Sequence, residues 1–550
     1  MRKLYYIAIV ALLFTACNNS NKTAENIEQQ ATKQETGIAE RLALWKEVTL
    51  NSGVEQLSEN QKQVLKYLIK ASQKIDDIFW QQTYPFSRDS LYSTLKDSTE
   101  RLYVDLNYGP WDRTNENESF IKGIGRRPLG GNFYPTDMKY LPFMAYELPD
   151  KLSPLTVIRR DSNKHFVAIP YHIFYQKDLS IAADYLNKAA DLCNNESFKK
   201  YLTAEANALL SDNYEQSEIA WLQTNGNLID FVAEPVETDN DDFLGIKKSY
   251  EAYVLVKDTI RTKQSEVYSK YIKKMQECIP CDDVYKKNPK TDKINIVVYN
   301  ALYYAGYSNC SGKNISINLP NNTEVLKQYG SRKLMFYNTM SAKYESILKP
   351  ISKLMIDESQ ADNFNSDIFF ESNLLYEIGD KLGFDKTLSG EPVVDKLKDK
   401  AVLIDKIRAD LVRIYLVPQM QEEGIISKEN TEKHYVCYLS NLFRIARFGD
   451  AIPQSKANII IINYLLKHKA VSRTKNGKYL IAYGYINKVI NDFTAEIHRI
   501  QEEGNYNKAQ ELIDKYLIID KKLQNDLDKI NNNDIPIDIR FKQGLKVLGV

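Results

Sequence analysis

Apolar residues recur at helical spacing through residues 38–74, at Leu42, Leu44, Trp45 and Val48 and again at Val64, Leu65, Leu68 and Ile69, which predicts paired helices. Gly and Pro then interrupt residues 107–135 too often for regular elements, so an ordered loop is expected there. Residues 182–210 are Ala- and Leu-rich with polar residues interleaved, the pattern of a helical hairpin, and residues 250–278 continue in a long helical pattern. Short β-branched runs at 228–236 and 294–298 predict strands, and the alternation Ile315-Ser316-Ile317-Asn318-Leu319 predicts a half-buried strand with Asn318 on its polar face. After Lys333 nearly every stretch has a helical period: 335–355, 367–381, 397–415, 436–448, 455–467, 485–502 and 506–530. The pattern is strands before Lys333 and a helical body after it.

The chain has 550 residues, 43% hydrophobic and 26% charged, enough for two domains or one large two-lobed body. Its formal net charge of +1 and the lack of clustered Lys and Arg argue against a nucleic-acid partner. Met1-Arg2-Lys3 precedes an apolar run from Leu4 to Ala16 that is too short to span a bilayer and ends in Phe14-Thr15-Ala16-Cys17. The expectation is a lipoprotein signal over residues 1–16 and a diacylated Cys17, anchoring the chain to a membrane of the cell envelope, periplasm-facing or at the cell surface. Residues 17–37 are polar and read as a tether. Past Cys17 there are five cysteines, and the lone pair Cys278-x-x-Cys281 lacks the second pair or histidines of a structural zinc site, leaving a local disulfide or two buried thiols.

The most informative stretch begins at Phe369. A zinc helix of the form His-Glu-x-x-His sets two imidazoles four residues apart on one face, with the Glu activating metal-bound water. Tyr376-Glu377-Ile378-Gly379-Asp380 keeps that spacing and the Glu, with Tyr and Asp where the imidazoles would be. The mature chain has five histidines, His165, His172, His434, His468 and His498, and no two stand three to five residues apart. Each reads as structural or surface.

With its flanks, Phe369, Phe370, Leu374, Glu377, Leu382 and Gly383, this segment resembles the dipeptidyl-peptidase III family of zinc peptidases. Tyr108 to Arg113, Gly131 to Pro135, Glu234 to Thr238, Ile317 to Asn321, Asn338 to Lys343 and Arg444 to Gly449 resemble further motifs of that family, in family order. The resemblance implies a third zinc ligand where Lys406 stands, an active-cleft histidine at Gln454 and a transition-state tyrosine at Asp239. A carboxylate at that last position would repel a developing oxyanion. It also implies that Glu237 recognises a free peptide N-terminus and that Asn318 and Asn321 hold peptide backbone. Glu377, Asp380, Asp405 and Asp410 could offer oxygen ligands to a hard cation, but the Lys406 ammonium opposes a dication nearby. The simpler expectation is that Lys406 fills the zinc position, paired by Asp380 or Glu377.

The expected fold is therefore α+β, mainly α, and two-lobed. A mixed lobe with a small β-barrel (residues 38–254, continued by 293–338) faces a helical lobe (255–292 and 339–550) across a cleft; the barrel comes from the resemblance alone. The expected function is that of a non-catalytic homologue, without zinc or other cofactor, binding oligopeptides or a protein partner in the former active cleft. An active metallopeptidase with an unrecognised metal site, and a structural lipoprotein that binds no peptide, are the alternatives.

Overall fold

The structure is a computed structural model that describes residues 37–287 and 294–550. The expected signal segment, Cys17, the tether as far as residue 36 and the expected lobe boundary at 292–293 lie outside the described residues. Among the described residues no helix is long and apolar enough to cross a membrane.

The first expected helix pair is only half helical. Ile38–Ala43 is a helix, but Trp45 and Val48 belong to a strand, β1 (Trp45–Thr49). β1 pairs in parallel with residues 538–542, Trp45 opposite Asp538 and Thr49 opposite Lys542. So few apolar positions fit either period, and a partner almost five hundred residues away decides between them. Helix α1 (Glu59–Thr83) starts at a capping box, in which Ser58 Oγ accepts from the Gln61 amide and Gln61 Oε1 accepts from the Ser58 amide. α2 (Gln176–Leu192) and α3 (Glu196–Leu209) form the expected hairpin, with Asn195 capping α3 through the Phe198 amide. α4 (Glu215–Leu222) follows.

Five strands then build a curled sheet in the order β2-β3-β4-β6-β5: β2 (Ile229–Glu237), β3 (Ser249–Lys257), β4 (Asn295–Gly306), β5 (Ser316–Leu319) and β6 (Arg332–Phe336). Every join is antiparallel except β4 with β6. Two readings are corrected here. Residues 250–257 are strand, not the start of a helix, because every residue from Ser249 to Val256 is buried and the period-2 alternation is lost. Met335 likewise lies in β6, and the helix expected from it begins at Tyr337.

The remaining chain is mainly helical. α5 (Ser366–Lys381), α6 (Ala401–Glu422), α7 (Lys428–Ala446) and α8 (Pro453–Lys467) share one apolar core, and the last strand, β7 (Asp538–Lys542), returns to β1. A second core lies between α1 to α3 and the sheet. The molecule is a two-lobed α+β fold with a curled half-barrel in place of a closed barrel.

The contact of α5 with α6 sets the candidate site. A Cβ at Gly379 would lie 3.2 Å from Val412 Cγ1 and 3.4 Å from the Ala409 carbonyl oxygen, so the glycine lets the helices approach closely. Arg408 locks the end of α5: its buried guanidinium donates to the carbonyls of Gly379 at 2.7 Å, Leu382 at 2.8 Å and Asp380 at 3.2 Å, and pairs with Asp405 at 2.9 Å. These are last-turn carbonyls that a helix leaves unsatisfied, and a cation suits the negative end of its dipole. Replacing Arg408 by Ala is expected to lower stability by about 3 kcal/mol, seen as a fall in the melting temperature that Arg408→Lys only partly rescues because one ammonium cannot span three carbonyls.

Candidate functional site

The site lies where the free edge of the curled sheet meets α5. Helical spacing puts Tyr376, Glu377 and Asp380 within little more than one turn, with Tyr376 and Asp380 four residues apart on one face. Their partners differ from one another. Glu377 has both carboxylate oxygens engaged by the sheet: Ser316 Oγ on β5 donates to Oε1 at 2.6 Å, and Lys333 Nζ on β6 pairs with Oε2 at 2.5 Å. Both side chains are largely buried, 12% exposed for Glu377 and 15% for Lys333, so the pair is weakly screened.

The expected pairing of Lys406 with Glu377 or Asp380 is not found. Lys333 holds Glu377, the Asp380 carboxylate lies 3.7 Å from Lys381, and among the described residues Lys406 makes no ion pair within 4 Å. The sequence does not point to Lys333 because β6 carries no mark of its own: its last two residues, Met335 and Phe336, fall in the helical pattern that follows.

Tyr376 and Gln454 do come together. The Tyr376 hydroxyl donates to Gln454 Oε1 at 3.3 Å. Gln454 Nε2 donates to Asp410 Oδ2, and Arg413 pairs with Asp410 Oδ1 at 2.5 Å. With its amide nitrogen turned inward, Asn458 donates to Asp410 Oδ2 at 2.9 Å. The Arg413 guanidinium also lies 5.5 Å from the centre of the Tyr376 ring and 5.0 Å from that of Tyr438. A polar network thus ties α5, α6 and α8 together around a buried carboxylate. Burial raises the Asp410 pKa and Arg413 and Gln454 oppose the rise; burial and the nearby Asp410 push the Tyr376 phenol far above its usual range, so it is a neutral donor.

These side chains do not make a zinc ligand set. A neutral phenol is a much weaker zinc ligand than an imidazole and an ammonium has no lone pair to offer, and among the described residues no three His, Cys, Asp or Glu side chains gather as a metal site. The histidines have other surroundings: His434 Nε2 lies 2.8 Å from Glu371, His172 Nδ1 2.8 Å from Asp212, His468 Nε2 3.2 Å from the Tyr516 hydroxyl, and His165 Nδ1 3.8 Å from Asp161. His498 is fully buried, and burial lowers its pKa to about 3. The five described cysteines are free thiols, and burial pushes that of Cys281 up to about 12.

The expected peptide-binding residues sit on the sheet. Ser316 and Asn318 share one face of β5 by alternation, so the contact of Ser316 with Glu377 places Asn318 on the side toward α5, and Asn318 lies directly across from Lys333. Asn321 is exposed three residues on. Glu237 ends β2 beyond a bulge; burial foremost and then Asp239 raise its pKa, and Lys248 lowers it. Asp239 Oδ2 accepts from the Tyr307 hydroxyl at 3.0 Å, which gives that carboxylate a donor of its own.

The model of peptidase family M49 matches residues 152–377. The solved structure of DPP III from Caldithrix abyssi superposes with a TM-score of 0.88 at 29% identity, covering 92% of this chain and 98% of that one. Dipeptidyl-peptidase III from Corallococcus sp. strain EGB superposes at 0.75 and 26% identity, covering 91% and 96%. A plant protein, Nudix hydrolase 3 of Arabidopsis thaliana, is 27% identical over 91% of this chain and 73% of its own length. The order of the motifs, the two-lobed fold and these matches agree in one likeness, to the dipeptidyl-peptidase III family, peptidase family M49.

Proposed function

We propose that this chain is a non-catalytic member of its family that holds an oligopeptide, or a peptide segment of a protein partner, in the former active cleft. The observation that carries the reading is the state of Glu377, the one group of the zinc-helix motif that the sequence retains. A general base must be free to turn toward the proton it takes. Here Ser316 occupies one oxygen and Lys333 neutralises the other, so the carboxylate acts as a brace between sheet and helix. Tyr376, Asp380, Lys406 and Gln454 stand where the resemblance places nitrogen and carboxylate groups, and Tyr376 and Gln454 are absorbed into the Asp410 network. Asn318 and Glu237 support a retained peptide surface. Lipidation at Cys17 is the second part of the proposal and rests on the Phe14-Thr15-Ala16-Cys17 sequence.

The chain from Asn18 onward, purified without chelator and offered Zn²⁺ before desalting, is expected to retain far less than one zinc per chain and to release no dipeptides from a peptide library. One zinc per chain together with peptide cleavage would restore the peptidase reading. Calorimetry with unmodified peptides should show binding that Asn318→Ala and Glu237→Gln weaken by about tenfold, roughly 1.4 kcal/mol; absence of any binding would favour a purely structural role.

Glu377→Gln separates brace from base. Removing one member of a largely buried pair costs about 3 to 5 kcal/mol, so the variant is expected to melt at a markedly lower temperature. An unchanged melting temperature would contradict the brace. In cells, Cys17→Ser is expected to move the protein from the detergent-extracted membrane fraction to the soluble one, and mass spectrometry of the wild-type N-terminal peptide should show the diacyl modification.

A further inference from the structure

Three glutamates that no part of the reading above uses converge behind the peptide-facing strand. Glu205 comes from α3, Glu218 from α4 and Glu234 from β2, and they line a partly open cavity of about 10 Å³ together with Trp221, Leu319 and Pro320. Glu205 is 3% exposed and Glu218 is 8% exposed. Glu205 Oε1 and Glu218 Oε2 are buried with no hydrogen-bond partner among the described residues, an expensive condition for a carboxyl oxygen. The space suits a single water-sized group. The carboxylates do not converge as metal ligands do, and the unmet requirement is for hydrogen-bond donors carrying positive charge.

We propose that this cavity is a subsite for a primary ammonium group. An ammonium has three donors and a radius close to that of water, so it can serve several acceptors at once while cancelling their mutual repulsion. Leu319 and Pro320 directly follow Asn318, so a peptide lying along β5 could deliver such a group from a lysine side chain while its N-terminus is left to Glu237. The inference rests on the peptide-binding reading only for that source.

The surrounding charges fit. Burial holds Glu205 well above the ordinary carboxylate range and raises Glu218 to about 7 and Glu234 to about 8; Glu234 and Glu218 add to the rise at Glu205, Glu218 adds to it at Glu234, and Glu215 does so at Glu218. Lys248 opposes the rise at Glu218 and Glu234, and the Asn322 side chain opposes it at Glu218. Tyr201 also lines the cavity; burial raises its pKa most, Glu205, Asp230 and Glu234 add to the rise, and Arg332 opposes it. Because the folded pKa values exceed the unfolded ones, the folded state binds more protons between about pH 4.5 and 8, and stability falls as pH rises through that window. An ammonium guest is therefore bound most tightly at the alkaline end.

The test uses n-butylammonium chloride, with n-butanol and NaCl at equal concentration and ionic strength, on the chain from Asn18 onward at pH 6 and pH 8.5. The expected result is a rise in melting temperature with the amine alone, larger at pH 8.5, and lost in Glu218→Gln and Glu234→Gln, which themselves should fold and flatten the pH dependence. An equal shift with NaCl, or one that survives both substitutions, would overturn the subsite. A calorimetric series then tests the source: norleucine in place of lysine in a lysine-containing tripeptide should weaken binding about tenfold, and should do so equally in the N-acetylated peptide, whose lost N-terminal contact belongs to Glu237. Amine binding without peptide binding would support the cavity while removing the peptide reading, and equal affinity for the lysine and norleucine peptides and for both Gln variants would remove the cavity.

Discussion

The ion pair of Glu377 with Lys333 is the constraint on which the candidate site depends. It joins the helix that would carry the zinc ligands to the sheet that would carry the peptide, and it does so with two largely buried charges. A buried pair contributes little net stability, but it opposes any movement that would separate its members. Two more devices reinforce it from the far side of the helix. Arg408 takes up the last carbonyls of α5, and the Tyr376–Gln454–Asp410–Arg413 chain of contacts binds α5 to α6 and α8. Hydrogen bonds and ion pairs thus link the elements at this junction.

The electrostatics divide the site in two. On the helical side the charges pair within the protein, Asp410 with Arg413 and Asp405 with Arg408. On the sheet side the carboxyls accumulate, with Glu205, Glu218, Glu234, Glu237 and Glu251 all raised by burial. Such an arrangement is costly unless a cation or a proton shares it, which is why the sheet side is the better place to look for a ligand.

The sequence made the frame of the site legible and left its connections dark. The spacing of Tyr376, Glu377 and Asp380, the strand holding Asn318 and the helices from Ser366 onward follow from short-range periodicity and from motif order, and the structure has them, except that the stretch expected as helical over 506–530 is two helices, Tyr506–Tyr516 and Lys521–Asn531, the second capped by Asp520. In sequence β3 takes a helical period because burial on both faces removes alternation, and the helical pattern from Met335 takes in the end of β6, which leaves Lys333 in no element and with nothing to assign it to Glu377. In one dimension Lys406 is the cation nearest to the motif logic, whereas in the fold it is Arg413 that meets a buried carboxylate.

The pairing of β1 with β7 has a consequence for how the molecule is made. Glu47 and Arg540, 493 residues apart in sequence, meet in a salt bridge of 2.5 Å across those two strands. Chains elongate at about 5 to 20 residues per second, so the segment around β1 spends roughly half a minute or more in existence before its partner is synthesised. Until then its hydrogen-bonding edge is open to any other extended chain, a known route to misassociation. β1 can close its edge only once the segment that carries β7 has been made.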